Sequence, residues 1–334
     1  MASILFSPTG TPIAERIALA VRRGLTSQSK WLPSWLFYDE AGSRLFDQIT
    51  ELPEYYPTRT ERSILAANAE EMIAIASQSF RGGQRRLRIT ELGAGSADKT
   101  RILLAAAIEQ QGTVLYEPMD VSASALEAAK ARIEREIPGV HVAPRVADYT
   151  HGMDLEPAGE DEHRLILYIG SSIGNFEPQE AARLLDKVRE GLRPGDGLLL
   201  GVDLKKDKSV LLAAYDDKAG VTAEFNRNLL VRLNRELAAD FDLRGFRHRA
   251  VWNPIESRIE MHLQSLLAQT VQIPAMHLEL HFAQGETIHT ENSYKYHPGQ
   301  PEDLLCAAGF RVTQYWRDPS EWFAVYLATV PSPI

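Results

Sequence analysis

A carboxylate followed by two closely spaced glycines is the feature of this sequence best suited to chemistry. Glu91 ends an apolar-rich run, and Gly93 and Gly95 follow it before a helix-like pattern begins. Glycine removes the side chains that would hold a ligand away from the backbone, and it adopts turn dihedrals that other residues resist. Open α/β sheets bind ligands where a strand crosses into a helix in this way. The stretch therefore predicts the first strand, turn and helix of a nucleotide-binding sheet.

The turn differs from that of dinucleotide-binding folds. Its residues 96–99, Ser-Ala-Asp-Lys, stand where a third glycine would allow close packing of the helix. Pyrophosphate binding is therefore disfavoured. S-adenosylmethionine needs no phosphate cradle, because it requires only room for its amino-acid end, a carboxylate for the ribose hydroxyls and a slot for adenine. A tight turn that binds nothing is the alternative at this point.

Two later acidic positions fit the same ligand. Asp120 ends a second apolar run roughly 20 to 30 residues on, where a ribose-binding carboxylate is expected. Residues 141–149 supply a third short strand, then Asp148, which suits the adenine amino group, and Tyr149, which suits the ring face. Taken singly, Asp120 fits a helix N-cap equally well, and the Asp148–Tyr149 pair fits a turn.

The elements that must position these residues alternate between strand and helix. Residues 164–170 and 198–202 predict buried strands, with a helix over 177–192 between them. Residues 310–316 and 322–327 predict a closing antiparallel pair. This alternation indicates an α/β fold with a mainly parallel sheet.

A second lobe is expected in addition to the sheet. The chain has 334 residues, more than a single hydrophobic core usually serves. From Lys205 onward the pattern changes to a long helix at Val221–Leu237 and an alternating strand at Arg258–Leu263. We therefore expect this segment to form a separate lobe.

Composition excludes several classes of protein. A net charge of −9 argues against binding to nucleic acid and to anionic membrane surfaces. Residues 1–30 lack the order of a signal peptide, and no apolar run reaches membrane-spanning length, so a cytoplasmic protein is expected. The single cysteine, Cys306, precludes an intrachain disulfide and is predicted to be buried packing.

Several separate motifs occur in order along nearly the whole chain, at residues 35–46, 52–61, 91–99, 116–122, 170–176, 215–226, 259–261 and 288–296. Together these motifs resemble the histidine Nα-methyltransferase family of ergothioneine biosynthesis. The resemblance implies a class I methyltransferase fold, Rossmann-like with a mainly parallel seven-stranded sheet, and a second, substrate-binding lobe. It also implies three methylations of the histidine α-amino group by S-adenosylmethionine, giving hercynine.

The resemblance divides the chain and assigns contacts to the methyl donor. It implies a methyltransferase domain at residues 61–204 and 296–334, and a substrate-binding lobe at 9–60 and 205–295. Lys99 is implied to meet the donor's carboxylate, Asp120 the ribose, and Asp148 with Tyr149 the adenine. The remaining implied cofactor-binding residues are Glu91, Gly93 and Gly95.

The family motifs also imply the substrate contacts. Asn175 and Tyr215 are implied to hold the carboxylate, and Tyr56, Glu291 and Ser293 to read the imidazole. Glu291 accepts from an imidazole N–H while Ser293 serves the other nitrogen, so that both ring atoms are satisfied. The implied catalytic residues are Tyr56, Asn175 and Tyr215, and the further substrate contacts are Gly170 and Met261.

Three other hypotheses compete with histidine methylation. A relative that methylates tryptophan or tyrosine at the same atom is the nearest, although Met261, Glu291 and Ser293 argue against it. A non-catalytic protein that binds S-adenosylmethionine is the second. A metal hydrolase that uses His277, His281, His289 and His297 is the third. It is disfavoured, because His277 and His281 fall in a predicted strand, where four-residue spacing places their rings too far apart to share a metal. We expect a monomeric enzyme that needs no metal.

Overall fold

The computed structural model describes residues 13–78, 85–151, 153, 155–156, 158–159 and 161–332. The helices are α1 (Ile13–Leu25), α2 (Glu40–Thr50), α3 (Tyr56–Ala76), α4 (Thr100–Gln111), α5 (Ala123–Glu136), α6 (Pro178–Glu190), α7 (Lys208–Tyr215), α8 (Val221–Leu237) and α9 (Gln300–Ala307). The strands are β1 (Arg86–Leu92), β2 (Val114–Asp120), β3 (Val140–Val142), β4 (Arg145–Val146), β5 (Glu162–Tyr168), β6 (Gly197–Asp203), β7 (Phe246–Asn253), β8 (Arg258–Ser265), β9 (Gln269–Ile273), β10 (Leu278–Phe282), β11 (Thr287–Tyr294), β12 (Arg311–Arg317) and β13 (Phe323–Thr329).

The largest sheet has the strand order β12-β13-β6-β5-β1-β2-β3. The strands from β6 to β3 pair in parallel, whereas β13 pairs antiparallel with both β6 and β12. This order and the antiparallel pair at one end match the predicted class I methyltransferase fold, which is therefore confirmed. The predicted closing strand pair is confirmed as β12 and β13.

The third predicted strand is split in two. β3 and β4 both pair with β2, and Pro144 lies in the gap between them. Because proline has no N–H to donate to a ladder, it interrupts a continuous strand. The main path of the sheet has the seven strands that the family resemblance implies. The short strand β4 is an additional eighth that was not expected.

The core of this sheet explains why its strands appear in the sequence as apolar runs. All seven residues of β6 are buried, as are six of the seven in β5. Both faces of a parallel sheet are covered by helices, so its strands lose the alternation typical of a half-exposed sheet. Met72 and Ile73 of α3 and Leu103 and Leu104 of α4 join the same buried cluster.

A smaller sheet with the order β11-β8-β7 lies in the segment predicted as a separate lobe. In β8, buried and partly exposed residues alternate, which shows that one face is packed and the other meets solvent. Helix α8 packs against β7 and β8 and has the predicted bounds. Its first turn is capped by Asp217, whose carboxylate accepts from the backbone N–H groups of Val221 and Thr222 at 3.0 and 2.8 Å.

The described chain forms two compact units. The first unit comprises residues up to Tyr56, Asn175–Glu177 and Lys206–Lys295, and the second comprises Pro57–Gly174, Pro178–Lys205 and the residues from Tyr296 onward. What each unit binds stays a prediction at this point. The predicted lobe limits at residues 9 and 334 lie outside the described residues.

Two local predictions were wrong. Cys306 is exposed, because it lies on the outer side of α9, whose buried residues are Pro301 and Leu305. His277 is not in a strand: it has φ 49° and ends a short 3-10 turn just before β10, which contains His281. Among the described residues, no helix is both long and apolar enough to cross a membrane.

Candidate active site

The glycine turn after β1 has the backbone that only glycine adopts easily. Gly93 has φ 69° and Gly95 has φ 49°, both in the left-handed region. A Cβ added at Gly93 would lie 3.5 Å from the Tyr149 hydroxyl oxygen. The turn therefore leaves an uncovered stretch of backbone beside the Tyr149 ring, which brings two of the predicted cofactor residues together.

Asp120 holds this turn in place. One of its carboxylate oxygens accepts from the Gly95 N–H at 3.0 Å, and the other accepts from the Ser122 N–H at 2.9 Å. The N-cap of α5 is Ser122, whose hydroxyl accepts from the Ala125 N–H. Asp120 is thus not the helix cap, and its partly exposed carboxylate lies at the carboxyl end of β2 beside the glycine turn.

Asp148 and Tyr149 follow β4. Asp148 accepts from the backbone N–H of Thr150 at 3.1 Å, which forms the turn that the sequence also allowed. The Tyr149 ring lies edge-on to Tyr168, with 5.8 Å between centroids. Burial raises the pKa of Tyr149, so its hydroxyl stays protonated at neutral pH. Both side chains are partly exposed.

Glu91 has its partners inside the fold. Its buried carboxylate accepts from the Thr100 hydroxyl at 2.7 Å and from the Tyr116 hydroxyl. Burial raises the pKa of Glu91 to about 7, and the hydrogen bonds from Tyr116 and Thr100 oppose that rise. The contacts join β1 to α4 and β2, and a direct role with the cofactor stays a prediction.

Lys99 and Gly170 meet at a residue that the sequence reasoning missed. Glu61 is fully buried in α3, and its carboxylate accepts from the Lys99 ammonium. The Gly170 N–H donates to both oxygens of the same carboxylate, at 2.8 and 3.0 Å. Gly201 in β6 makes room for it, since a Cβ there would lie 2.1 Å from a Glu61 oxygen. The only sequence signal was the place of Glu61 at the end of the 52–61 motif.

Glu291 and Ser293 lie on one face of the smaller sheet. Glu291 pairs with Met261 and Ser293 with Ile259, and residues directly opposite each other share a face. A register shift between His289 and Glu291 sets this arrangement. The bulge places Glu291 and Ser293 on the face of β8 that carries its buried residues.

Tyr215 completes this face from the end of α7. Its hydroxyl lies 2.7 Å from the Ser293 hydroxyl, and the buried Lys295 donates to both, at 2.9 Å to Tyr215 and 2.7 Å to Ser293. His248 donates from Nε2 to the Tyr215 carbonyl at 2.8 Å. The sequence reasoning assigned no role to Lys295, although it lies within the 288–296 motif.

The Glu291 carboxylate is available to accept a hydrogen bond from a ligand. No described residue hydrogen-bonds it, and its side chain keeps part of its surface accessible. Desolvation raises the pKa of Glu291 to about 7, and the positive charge of Lys295 opposes that rise. A hydrogen-bond donor that reaches this carboxylate would therefore gain a strong acceptor.

Tyr56 and Asn175 also belong to the first unit. Tyr56 is fully buried, and its hydroxyl accepts from Lys206 at 2.8 Å. Asn175 ends a 3-10 turn and is partly exposed. Two residues later, Glu177 ties this short segment to the smaller sheet by accepting from Arg258 at 2.8 Å and from Tyr294 at 2.6 Å.

The predicted residues thus fall into two groups. Every predicted cofactor residue lies in the second unit, together with Gly170. The other predicted substrate residues lie in the first unit; they are Tyr56, Asn175, Tyr215, Met261, Glu291 and Ser293.

Comparison with known proteins decides the family. The model of the SAM-dependent, histidine-specific methyltransferase family matches residues 17–330. This chain belongs to that family. The methyltransferase is 46% identical to the histidine N-alpha-methyltransferase of Mycolicibacterium smegmatis, over 94% of this chain and 95% of the relative. It is 43% identical to the protein of the same name in Mycobacterium tuberculosis, over 93% of this chain and 95% of the relative.

A fungal relative extends the comparison. The methyltransferase is 30% identical to ergothioneine biosynthesis protein 1 of Neurospora crassa, over 87% of this chain and 32% of that longer protein. The family's methyl donor is S-adenosylmethionine. The donor fits the second unit, because Gly93 and Gly95 put no side chains in its way, the Asp120 carboxylate is partly exposed, and the Tyr149 ring lies beside the turn.

One group of side chains in the methyltransferase has the composition of a metal site. Glu260, His262 and His289 offer ligand atoms within 4.8 Å of one another, and the other histidines considered above do not belong to this group. The Glu260 carboxylate already accepts from Asn253 and Arg258, both at 2.9 Å, and it lies 3.2 Å from His262 Nε2. The arrangement is that of an ion-pair network that includes a guanidinium.

Proposed function

We propose that this methyltransferase transfers three methyl groups from S-adenosylmethionine to the α-amino group of L-histidine, giving hercynine, the first step of ergothioneine biosynthesis. The identity to relatives named histidine N-alpha-methyltransferase supports the substrate. The relative named ergothioneine biosynthesis protein 1 supports the pathway.

The main support for histidine as the substrate is the Glu291 carboxylate, which lacks a hydrogen-bond donor among the described residues. Because this carboxylate accepts no hydrogen bond from the residues that the structure describes and is partly exposed, a ligand that donates an N–H would match it. Ser293, on the same face, provides a hydroxyl for the second ring nitrogen. An amino acid without such a ring would leave the Glu291 carboxylate unpaired, and sites built in this way reject the wrong substrate strongly.

The remaining substrate groups need different partners. We assign the substrate carboxylate to Asn175 and Tyr215, and we assign Tyr56 to the imidazole ring near the α-amine. Gly170 and Met261 are the further substrate contacts that we propose. The amide of Asn175 offers donors without a charge, as does the phenol of Tyr215. These contacts hold the carboxylate and ring fixed while the nitrogen turns between successive methylations.

Catalysis by this chain is then mainly positioning. S-adenosylmethionine supplies an activated methyl group on its sulfonium, and the amine nitrogen displaces it in line. Because an ammonium has no lone pair, the amine must lose a proton before each of the three transfers. Holding a neutral amine in line and excluding water is worth several kcal/mol of barrier.

Labelled histidine tests the atom that is methylated. The purified protein is incubated with S-adenosylmethionine and histidine carrying ¹⁵N at the α position, and the product is examined by NMR. Three methyl groups coupled to the labelled nitrogen are expected. Methylation of a ring nitrogen would contradict the proposal, and so would an arrest at one methyl group with excess donor.

We further propose that the enzyme acts as a monomer in the cytoplasm, without a metal and without nucleic acid or membrane as partner. Light scattering after size exclusion is expected to give the mass of one chain. Activity is expected to survive dialysis against a chelator. Lost activity that returns with one added metal ion would contradict the metal-free proposal.

A further inference from the structure

Lys295 occupies an unusual place for a lysine. It directly follows β11 and is buried, with 2% of its surface exposed. Its ammonium donates to the hydroxyls of Tyr215 and Ser293 at 2.9 and 2.7 Å, and it lies 4.7 Å from the centre of the Tyr215 ring. A lysine buried to this degree is rare unless its charge is matched by partners.

The protons around this ammonium constrain the two hydroxyls. An ammonium only donates, so Tyr215 and Ser293 must both accept from Lys295. The two hydroxyl oxygens are 2.7 Å apart, so one hydroxyl donates to the other. The hydroxyl that accepts from its neighbour therefore directs its own proton out of the triangle. The pair is set to donate outward to an acceptor such as a ring nitrogen or a carboxylate.

The positive charge of the same ammonium also affects the pKa of Glu291. Burial raises the pKa of Glu291 to about 7, and Lys295 is the positive charge that opposes this rise. Glu291, Ser293 and Lys295 are spaced two residues apart, so the carboxylate and the hydroxyl share a face at the end of β11. One buried charge thus bears on both groups assigned to the imidazole.

We propose that Lys295 is a positioning residue that determines specificity: it orients the Tyr215–Ser293 hydroxyl pair so that one of the two hydroxyls donates outward, and its positive charge stabilises the ionised Glu291 carboxylate. The site then suits a neutral ring with one N–H donor and one lone pair. This inference rests on the proposed function, because it takes the ligand of Glu291 and Ser293 to be the imidazole of histidine.

The test compares Lys295→Met, which keeps the length but removes the charge, with Lys208→Met as a control. Lys208 is exposed at the start of α7. Histidine is titrated calorimetrically into each protein saturated with S-adenosylhomocysteine. Lys295→Met is expected to weaken histidine binding about tenfold to a hundredfold, as loss of a charge-assisted hydrogen bond does. The affinity for S-adenosylhomocysteine and all properties of Lys208→Met are expected to stay within about twofold of wild type.

A pH series separates positioning from a merely structural role. Histidine binding requires ionised Glu291, so it strengthens as pH rises through the Glu291 pKa. Removing the Lys295 charge moves that pKa higher, so the variant is expected to gain affinity over a higher pH range than wild type. Titration of histidine itself is common to both proteins and cancels in the ratio of their affinities.

Lys295→Gln is measured alongside, since it retains one donor without the charge. It is expected to recover part of the lost affinity while keeping the altered pH dependence, and it keeps the test decisive where Lys295→Met does not fold. Wild-type affinity in both variants would overturn the inference, and so would a loss that is constant across pH. A wild-type protein that methylates an amino acid other than histidine would instead overturn the proposed function.

Discussion

The Glu61 carboxylate accepts a hydrogen bond from the Gly170 N–H at 2.8 Å, although 109 residues separate them. The same carboxylate pairs with Lys99, which is assigned to the methyl donor. A single fully buried acid therefore fixes one residue assigned to the cofactor and one assigned to the substrate. We therefore expect Glu61 to act through these two neighbours.

Glu61→Gln tests this link. The amide keeps the size of the side chain but removes the charge that pairs with Lys99, so Lys99 is expected to lose its fixed position. The KM for S-adenosylmethionine should rise about tenfold, as expected for one charged hydrogen bond. The exposed Glu70→Gln in the same helix is the control and should leave this KM unchanged. An unchanged KM in Glu61→Gln would show that Lys99 holds its position without Glu61.

Gly201→Ala tests the space that Glu61 needs. The new Cβ would lie 2.1 Å from a Glu61 oxygen, so either the strand or the carboxylate must move. We expect a loss of about 1–3 kcal/mol in the free energy of unfolding, together with a raised KM for S-adenosylmethionine. Gly197→Ala in the same strand is the matched control, because its Cβ meets nothing closer than 3.4 Å. Equal effects of the two substitutions, measured by chemical denaturation, would rule out a special role for this position.

The raised pKa of Glu91 should make the stability of the protein depend on pH. Burial raises its pKa in the folded protein to about 7, from an ordinary value of 4.5. Between these values the folded state holds a proton that the unfolded state has released, so the free energy of unfolding falls as pH rises. The fall is about 3 kcal/mol for one such group as an upper bound. Glu91→Gln should remove it, so wild type should lose more stability than the variant between pH 4.5 and 7; parallel profiles would contradict this.

Glu291→Ala tests the origin of substrate preference. Without the carboxylate, the imidazole N–H loses its acceptor, and kcat/KM for histidine should fall about tenfold to a hundredfold. In a mixture of amino acids, the preference for histidine should disappear. Glu256→Ala, at an exposed turn, is the control and should keep both the rate and the preference. A Glu291→Ala protein that still selects histidine would place recognition of the ring elsewhere.

The sheet and its main strands could be predicted because their physical cause is local. Strands of a parallel sheet are buried on both faces, so β5 and β6 are continuous apolar runs in the sequence. Helix α8 was predicted with its observed bounds from its helical spacing alone. The split between β3 and β4 was missed, although Pro144 marks the gap.

The supporting residues of the site could not be predicted in the same way. Lys295 donates to Tyr215, which lies 80 residues away, and Glu177 accepts from Asn292, which lies 115 residues away. Such pairs depend on how distant elements pack, and no local pattern distinguishes them from ordinary surface charges. The bulge beside Thr290 is a further case, because the shift in register that aligns Glu291 with Ser293 depends on pairing with β8.

A competition among amino acids tests most directly whether this enzyme selects histidine and methylates it three times. The purified protein is incubated with S-adenosylmethionine and an equimolar mixture of the twenty amino acids, and mass spectrometry identifies which one gains methyl groups and how many. We predict that histidine alone gains methyl groups, and that it gains three. Methylation of another amino acid, such as tryptophan or tyrosine, would contradict the roles given to Glu291 and Ser293, and bound donor with no methylated product would contradict catalysis itself.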